Sequence, residues 1–518
     1  MLLKPKPSYQ FFSANLNSLI KQLLQEIGPG YKITSSAYDT AWLARLIELD
    51  EPLGYEALNW LRDNQLADGS WGAKEPLYYH DRVICTLSAI IALKKYGDDS
   101  DMARIERALP VFHEYLGNLE LDPAGETIGF EMLLPALTSE AKALGLLPTG
   151  DTGRLNKLSL TRERKLAKSP GRMISRFLTM AHSMEMVGPD GLHLLDIDNL
   201  QEANGSIGYS PAATIFFALY VKRHDPKALA YIRDASNKGS VPYVFPIDGF
   251  EHGWGLWNFA LLNHLDDEIQ ELCKVHLDYL EDNWQPGMGI AACVDLSFID
   301  ADAVSLIKEV LTKCGRTADL DAVLKYEEED HFRCYELEAN PSISTNIHVL
   351  GALRASGFKP EDSSVQKVLR FLKNHQYLDG FWLDKWHASP YYSTAHAIIT
   401  LSGYSSHLAK DAVDWILRTQ NADGSWGFYN VPSAEETAYC LQALSIWRQT
   451  YGTVPFSVIE RGVYWLVNHL DPPYLPLWIG KSLYSPDLVV RSAILAALAV
   501  VSQMITNSGK NGVNFDHN

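Results

Sequence analysis

Two aspartates separated by one alanine, Asp300 and Asp302, open the apolar stretch DADAVSLIKEVL with no cation beside them. Close carboxylates raise one another's pKa, and burial does the same. A pair of this kind can hold a proton near neutral pH and deliver it. On spacing alone the plainer reading is structural. Asp300 would cap a helix over residues 301–311, and Asp302 would sit exposed in its first turn.

The elements that would position such a pair repeat along the chain. NWLRDNQLADGSWG (residues 59–72) matches DWILRTQNADGSWG (414–427), with a weaker copy, RFLKNHQYLDGFW, at 370–382. Each is a helix end followed by Gln, Asp-Gly and an aromatic. Glycine supplies positive φ for the turn. Gln65, Trp71, Gln420 and Trp426 read as structural members of these turns. Each copy precedes a helix of small and apolar residues, such as RVICTLSAIIAL and ETAYCLQAL. Outer helix, turn and inner helix form the unit of an α/α toroid. Copies near both ends, with a divergent middle, predict an all-α fold of two α/α barrels. In TSSAYDTAWLARLIEL, Ser36 and Asp39 resemble a capping box at the start of an early helix. SVPYVFPI alternates, but its two prolines predict a loop or an edge.

Bulk properties narrow the classes. A chain of 518 residues, 47% of them apolar, carries enough core for two or more domains. A net charge of -18 argues against a nucleic-acid partner. Six cysteines lie in no CxxC or metal-ligand spacing, which predicts reduced thiols in a cytoplasmic protein. No signal peptide is visible at the N-terminus. The run AILAALAVV is too short to cross a bilayer, so no transmembrane segment is expected.

SAYDTAWLA, NQLADGSWG, IGFEMLLPAL, NGSIGYSPAAT, PSISTNIHVLGAL, DKWHASPYYSTAHA and PPYLPLWIGKSLYSP occur in order over nearly the whole chain. Together they resemble class II diterpene cyclases, most closely the bacterial halimadienyl (tuberculosinyl) and clerodane-type diphosphate synthases. The resemblance implies two barrels, β and γ, with γ inserted after the first helix of β and the active site between them. The boundaries it implies are 1–50 and 269–518 for β and 51–268 for γ.

The resemblance also implies roles. Asp302 matches the general acid of a D-x-D-D motif and Asp300 its supporting carboxylate. Ala303 and Val304 depart from that motif and leave no hydroxyl, so the site reads as depleted unless Ser305, His348 or water fills the gap. Protonating an alkene needs a neutral acid. A free aspartic acid, with a pKa of about 3.9, must be raised about three units, or roughly 4 kcal/mol, to stay protonated at neutral pH. Asn346 and His348 are candidate hydrogen-bond donors to it. Tyr209, Trp254, Trp257, Tyr391 and Tyr392 are candidates for cation–π contact with the substrate, at about 0.5–2 kcal/mol each. Lys385, then Arg82, are candidates for the diphosphate. Glu120, Asp122 and Glu126 lie where relatives carry an acidic Mg²⁺ motif, and a solvated loop is an equal reading. LDDEIQ (265–270) resembles a DDxxD metal motif but reads as a helix face.

The implied reaction is cyclisation of geranylgeranyl diphosphate to a bicyclic diterpenyl diphosphate of halimadane, clerodane or labdane skeleton. A class I synthase or a phosphatase would act on the product. Two other readings stand beside it: a squalene-type or meroterpenoid cyclase whose substrate lacks diphosphate, and a non-catalytic α/α-toroid binding protein.

Overall fold

A computed structural model describes residues 9–28, 32–149, 153–168, 171–336, 338 and 340–510. Six helices close into a ring, each packed on the next and the last on the first. They are Asp248–Phe259, Ala301–Lys313, Ile343–Ala355, Pro390–Leu401, Ala434–Tyr451 and Asp487–Lys510. A second ring joins Ala37–Ala44, Tyr79–Tyr96, Phe130–Ala143, the 3-10 segment Thr179–Val187 and Pro211–Phe216. Other helices pack around both rings, as the all-α, two-barrel expectation requires.

The two layers differ in sequence because they differ in surroundings. Ile343–Ala355 is buried at every residue from Ile343 to Leu353, between outer layer and barrel interior. Its outer neighbour Ser363–Asn374 buries one stripe: Val365, Val368, Leu369, Phe371 and Leu372. Six inner helices begin at a side chain that accepts a backbone N–H: Ser36, Ser210, Asp300, Ser342, Ser389 and Ser433. The Ser36 cap lacks the reciprocal half of a capping box. The buried Asp39 carboxylate has no hydrogen-bond partner among the described residues, and burial pushes its pKa up to about 7.

The repeat turns bond as their residue types predict. Gln420 Nε2 donates to Gly424 O and Val458 O, and Trp426 Nε1 donates to Ile416 O. Gln65 with Trp71, and Gln376 with Trp382, do the same. Gly424 has φ +95°, and a Cβ there would lie 2.5 Å from the Arg461 carbonyl, so only glycine fits. A further copy, Gln201 bonded to Gly205 O, was not apparent from the sequence pattern.

The hydrophobic cores move the expected boundaries. One core takes residues 16–27 and 244–504 with Tyr209, and the other takes 37–241. Thus Ala37–Ala44 belongs to the inserted γ barrel and not to β, while Asp248–Phe259 belongs to β and not to γ. The chain crosses between barrels by residues 32–36 and again near 242–247.

A short hairpin, Trp478–Ile479 and Leu483–Tyr484, ties the two barrels together. Its base is bonded in β, where Ala388 N donates to Leu477 O at 2.7 Å. Its tip enters γ. Ile128 N donates to Gly480 O at 2.8 Å, Leu483 N donates to Asp81 at 2.9 Å, and Lys481 reaches Glu185 at 2.6 Å. The expected loop at SVPYVFPI has no strand. AILAALAVV proves to be part of the longer helix Asp487–Lys510. Residues 487–506 of that helix are long and apolar enough to cross a bilayer, but they are mostly buried in the core.

Candidate active site

Asp300 and Asp302 divide the two roles that the sequence set against each other. Asp300 is the cap: its Oδ1 accepts from Ala303 N at 2.7 Å. Asp302, in the first turn, is buried rather than exposed, at 8%. Burial raises the Asp300 carboxyl to a pKa of about 7. The bond from Ala303 N opposes that rise, and the nearby charge of Asp302 adds to it.

Each Asp302 oxygen has one donor. His348 Nδ1 lies 2.6 Å from Oδ1, and Ser344 Oγ lies 3.1 Å from Oδ2. Both come from the first turns of Ile343–Ala355, the neighbouring helix in the ring. Behind His348, its Nε2 lies 3.0 Å from His396 Nδ1. Burial first, then the neighbouring His348 and His387, holds the His396 pKa well below the ordinary value. In the tautomer where His396 donates from Nδ1, His348 Nε2 accepts and His348 Nδ1 is the donor to Asp302. His396 lies flat on Trp257, with ring centroids 4.1 Å apart.

Ser344 is the donor that sequence reasoning missed. Its Oγ also lies 3.0 Å from Asp384 Oδ2. Asp384 is further held by Ser342 Oγ, Ile343 N, Ser344 N and Trp386 N. These partners lie 40 or more residues away along the chain, except Trp386, so spacing gave no signal. Of the groups expected to fill the gap left by Ala303, His348 reaches Asp302, whereas the buried Ser305 hydroxyl has no hydrogen-bond partner among the described residues.

The aromatic candidates separate. Trp254 stands 5.8 Å from the His348 ring and donates from Nε1 to Tyr392 OH at 2.9 Å. Tyr392 continues the wall to Trp478, 4.8 Å away. Trp257 sits behind the histidine pair, bonded to Glu309. Tyr391 packs outward on Trp415 at 4.6 Å. Tyr209 lies where the barrels meet, at φ +59°, and its carbonyl accepts from Phe245 N. Trp478 was not among the candidates, although its segment carried part of the resemblance.

The other candidates do not converge on the acid. The Asn346 amide holds the Phe332 backbone at both N and O, so it braces a loop and does not reach Asp302. Lys385 is paired with Glu338. Arg82 is buried and bonded to Asp68, Ser70, Ala73 O and Lys74 O within its own repeat turn. Glu120 is exposed and paired with Arg154 at 2.8 Å. Both oxygens of Asp122 face the start of Tyr79–Tyr96, accepting from Tyr79 N, His80 N and the His80 ring. Burial raises the Glu126 carboxyl above its ordinary range. Among the described residues no three His, Cys, Asp or Glu side chains are grouped to hold a metal. In LDDEIQ, Asp266 caps Asp267–Asp282, as a helix-face reading requires. A cavity of about 660 Å³ lies in γ, lined by residues including Trp42, Arg45, Glu140 and Tyr220, and does not include the acid pair.

Known proteins match this arrangement along the chain. The squalene-hopene cyclase C-terminal domain family matches residues 331–471, the segment that carries His348, Asp384, Tyr392 and His396. A Type B diterpene cyclase of Mycobacterium tuberculosis is 43% identical over 494 residues, covering 93% of this chain and 99% of the relative. A (+)-kolavenyl diphosphate synthase of Herpetosiphon aurantiacus is 28% identical, covering 94% of this chain and 97% of the relative. The solved ent-copalyl diphosphate synthase from Streptomyces platensis has a TM-score of 0.74 at 29% identity, covering 94% of this chain and 99% of that one. With the acid, its donors and both barrels in place, and with 43% identity to a diterpene cyclase over 93% of its length, the chain belongs to the class II diterpene cyclase family.

Proposed function

We propose that this protein protonates the terminal alkene of geranylgeranyl diphosphate and cyclises it to a bicyclic diterpenyl diphosphate, with the diphosphate retained. One observation carries the reading. Asp302 is a buried carboxyl with no Lys or Arg on it among the described residues, and its two oxygens lie 2.6 Å from His348 Nδ1 and 3.1 Å from Ser344 Oγ. In this reading Asp302 is the acid. The bonds from His348 and Ser344 then strengthen as the carboxylate forms, which lowers the barrier to giving that proton up. Trp254 and Tyr392 offer π faces beside it for the cation that results.

The names of the relatives support the substrate, because copalyl and kolavenyl diphosphates are bicyclic isomers of geranylgeranyl diphosphate. Identity is higher to the Type B diterpene cyclase than to the kolavenyl enzyme, which favours a halimadane over a clerodane skeleton. Six free thiols suit a cytoplasmic setting. A phosphatase or a class I synthase would consume the product.

The test is incubation with geranylgeranyl diphosphate and Mg²⁺, dephosphorylation and mass spectrometry. The wild type should give a bicyclic alcohol, and folded Asp302→Asn only geranylgeraniol. Bicyclic product from the Asn variant would defeat the assignment.

A further inference from the structure

Cyclisation that starts with a proton must end by losing one, and none of the groups above accepts it. Glu435 is the second residue of Ala434–Tyr451, as Asp302 is of Ala301–Lys313. Around the six-helix ring those helices are three steps apart, so they face each other across the barrel. Glu435 is 1% exposed. Its Oε1 accepts from Trp478 Nε1 at 2.8 Å and Tyr439 OH at 3.1 Å, with His387 Nε2 at 3.4 Å. Its Oε2 is buried with no hydrogen-bond partner among the described residues. Tyr392 stands between the carboxylates: burial raises its phenol well above the ordinary value, and the charges of Asp302, Asp384 and Glu435 all push the same way.

An unpaired buried acceptor is costly; Glu185 Oε2 and the Asp39 oxygens share that state, but Glu185 is paired with Lys481, and Glu435 is the one of the three that faces the acid across the β barrel. Here one oxygen is clamped by two aromatic donors and the other is left open, which is the geometry of a positioned base. We propose that Glu435 is the terminal base of the cyclisation, a role that rests on the function proposed above. The C–H bond next to the final cationic carbon breaks, its electron pair becomes the ring alkene, and the proton goes to Oε2. Asp302 ends the turnover as carboxylate and Glu435 as carboxylic acid. Exchange with solvent resets both, and the reaction is a net isomerisation.

Glu435→Gln keeps the shape and the Oε1 contacts but removes the base. Wild type and variant are compared in single turnover with geranylgeranyl diphosphate, after thermal melting establishes that the variant folds. Substrate consumption should fall less than tenfold. The native alkene should fall at least tenfold as a share of product, replaced by alkene isomers or a water-captured bicyclic alcohol diphosphate. The native alkene as the main product would overturn the proposal, and so would a folded variant that consumes no substrate, since the defect would then precede termination. Should the Gln variant not fold, Glu435→Asp reads the same ratio. A retracted carboxylate should lower the native share with consumption retained, and an unchanged ratio would overturn the role. A wild type that leaves geranylgeranyl diphosphate intact would instead defeat the parent reading.

Discussion

Ser344 hands one hydroxyl to two carboxylates, standing 3.1 Å from Asp302 and 3.0 Å from Asp384. A hydroxyl has a single hydrogen. While Asp302 is neutral, that hydrogen can rest on Asp384, and when Asp302 gives up its proton it can turn to the new charge. Asp384 keeps four other donors throughout.

Ser344→Ala should therefore lower kcat and leave KM unchanged. A hydrogen bond to a charged group is worth about 1.5–3 kcal/mol, which corresponds to roughly ten- to hundredfold in rate. Steady-state kinetics checks this. A change in KM alone would mean that Ser344 contacts substrate.

Ala303 invites the opposite experiment. Its side chain is fully buried, and both Asp302 oxygens already have donors. The depleted-site expectation drawn from the sequence loses its basis. Ala303→Asp or Ala303→Thr should give no gain in single-turnover rate, and overpacking should cost about 1–3 kcal/mol in stability. Faster turnover in either variant would restore the depleted-site idea.

Asp300 gives a pH signature. Its folded pKa, about 7, lies above the value of 3.8 for a free aspartate. The folded state thus binds the proton more tightly than the unfolded one. The resulting stabilisation is complete below pH 3.8 and is lost as pH rises through about 7. Asp300→Asn stays neutral and can still cap. Its melting temperature should fall less than that of wild type between pH 5 and pH 8, and thermal denaturation at both values tests this.

The acidic loop separates metal from fold. Glu120→Gln should leave the Mg²⁺ concentration for half-maximal rate unchanged, since Glu120 is paired with Arg154 on the surface. Asp122→Ala should lower stability by about 0.5–2 kcal/mol, because a helix start loses its acceptor. A shifted Mg²⁺ requirement in the Gln variant would return that residue to the metal.

Barrel architecture was legible because the Gln–Asp-Gly–Trp turn uses local bonds between residues close in sequence. The acid was legible through the resemblance, because a D-x-D pair taken alone reads as a helix cap. Of its partners only His348 was. Ser344 and Asp384 act across 42 and 40 residues of chain, and serine is also the ordinary cap at these helix starts. Asn346 looked like a donor by type, but its amide faces the Phe332 loop, a matter of rotamer and not of spacing. The domain boundary slipped for a related reason. Ala37–Ala44 and Asp248–Phe259 are both wholly buried inner helices, and nothing local says which ring each will join.

The hairpin at residues 478–484 sets an order on the birth of the molecule. During synthesis the residues of γ emerge long before Gly480, Lys481 and Leu483, so the inserted barrel waits with Asp81 lacking the Leu483 amide and Glu185 lacking its lysine. The last quarter of the chain then closes the first half. A ribosome that stops short of the hairpin leaves two buried carboxylates without their late-arriving donors. Two barrels in shape are thus one unit in maturation, and the finished enzyme carries a built-in check that its own C-terminal region was made.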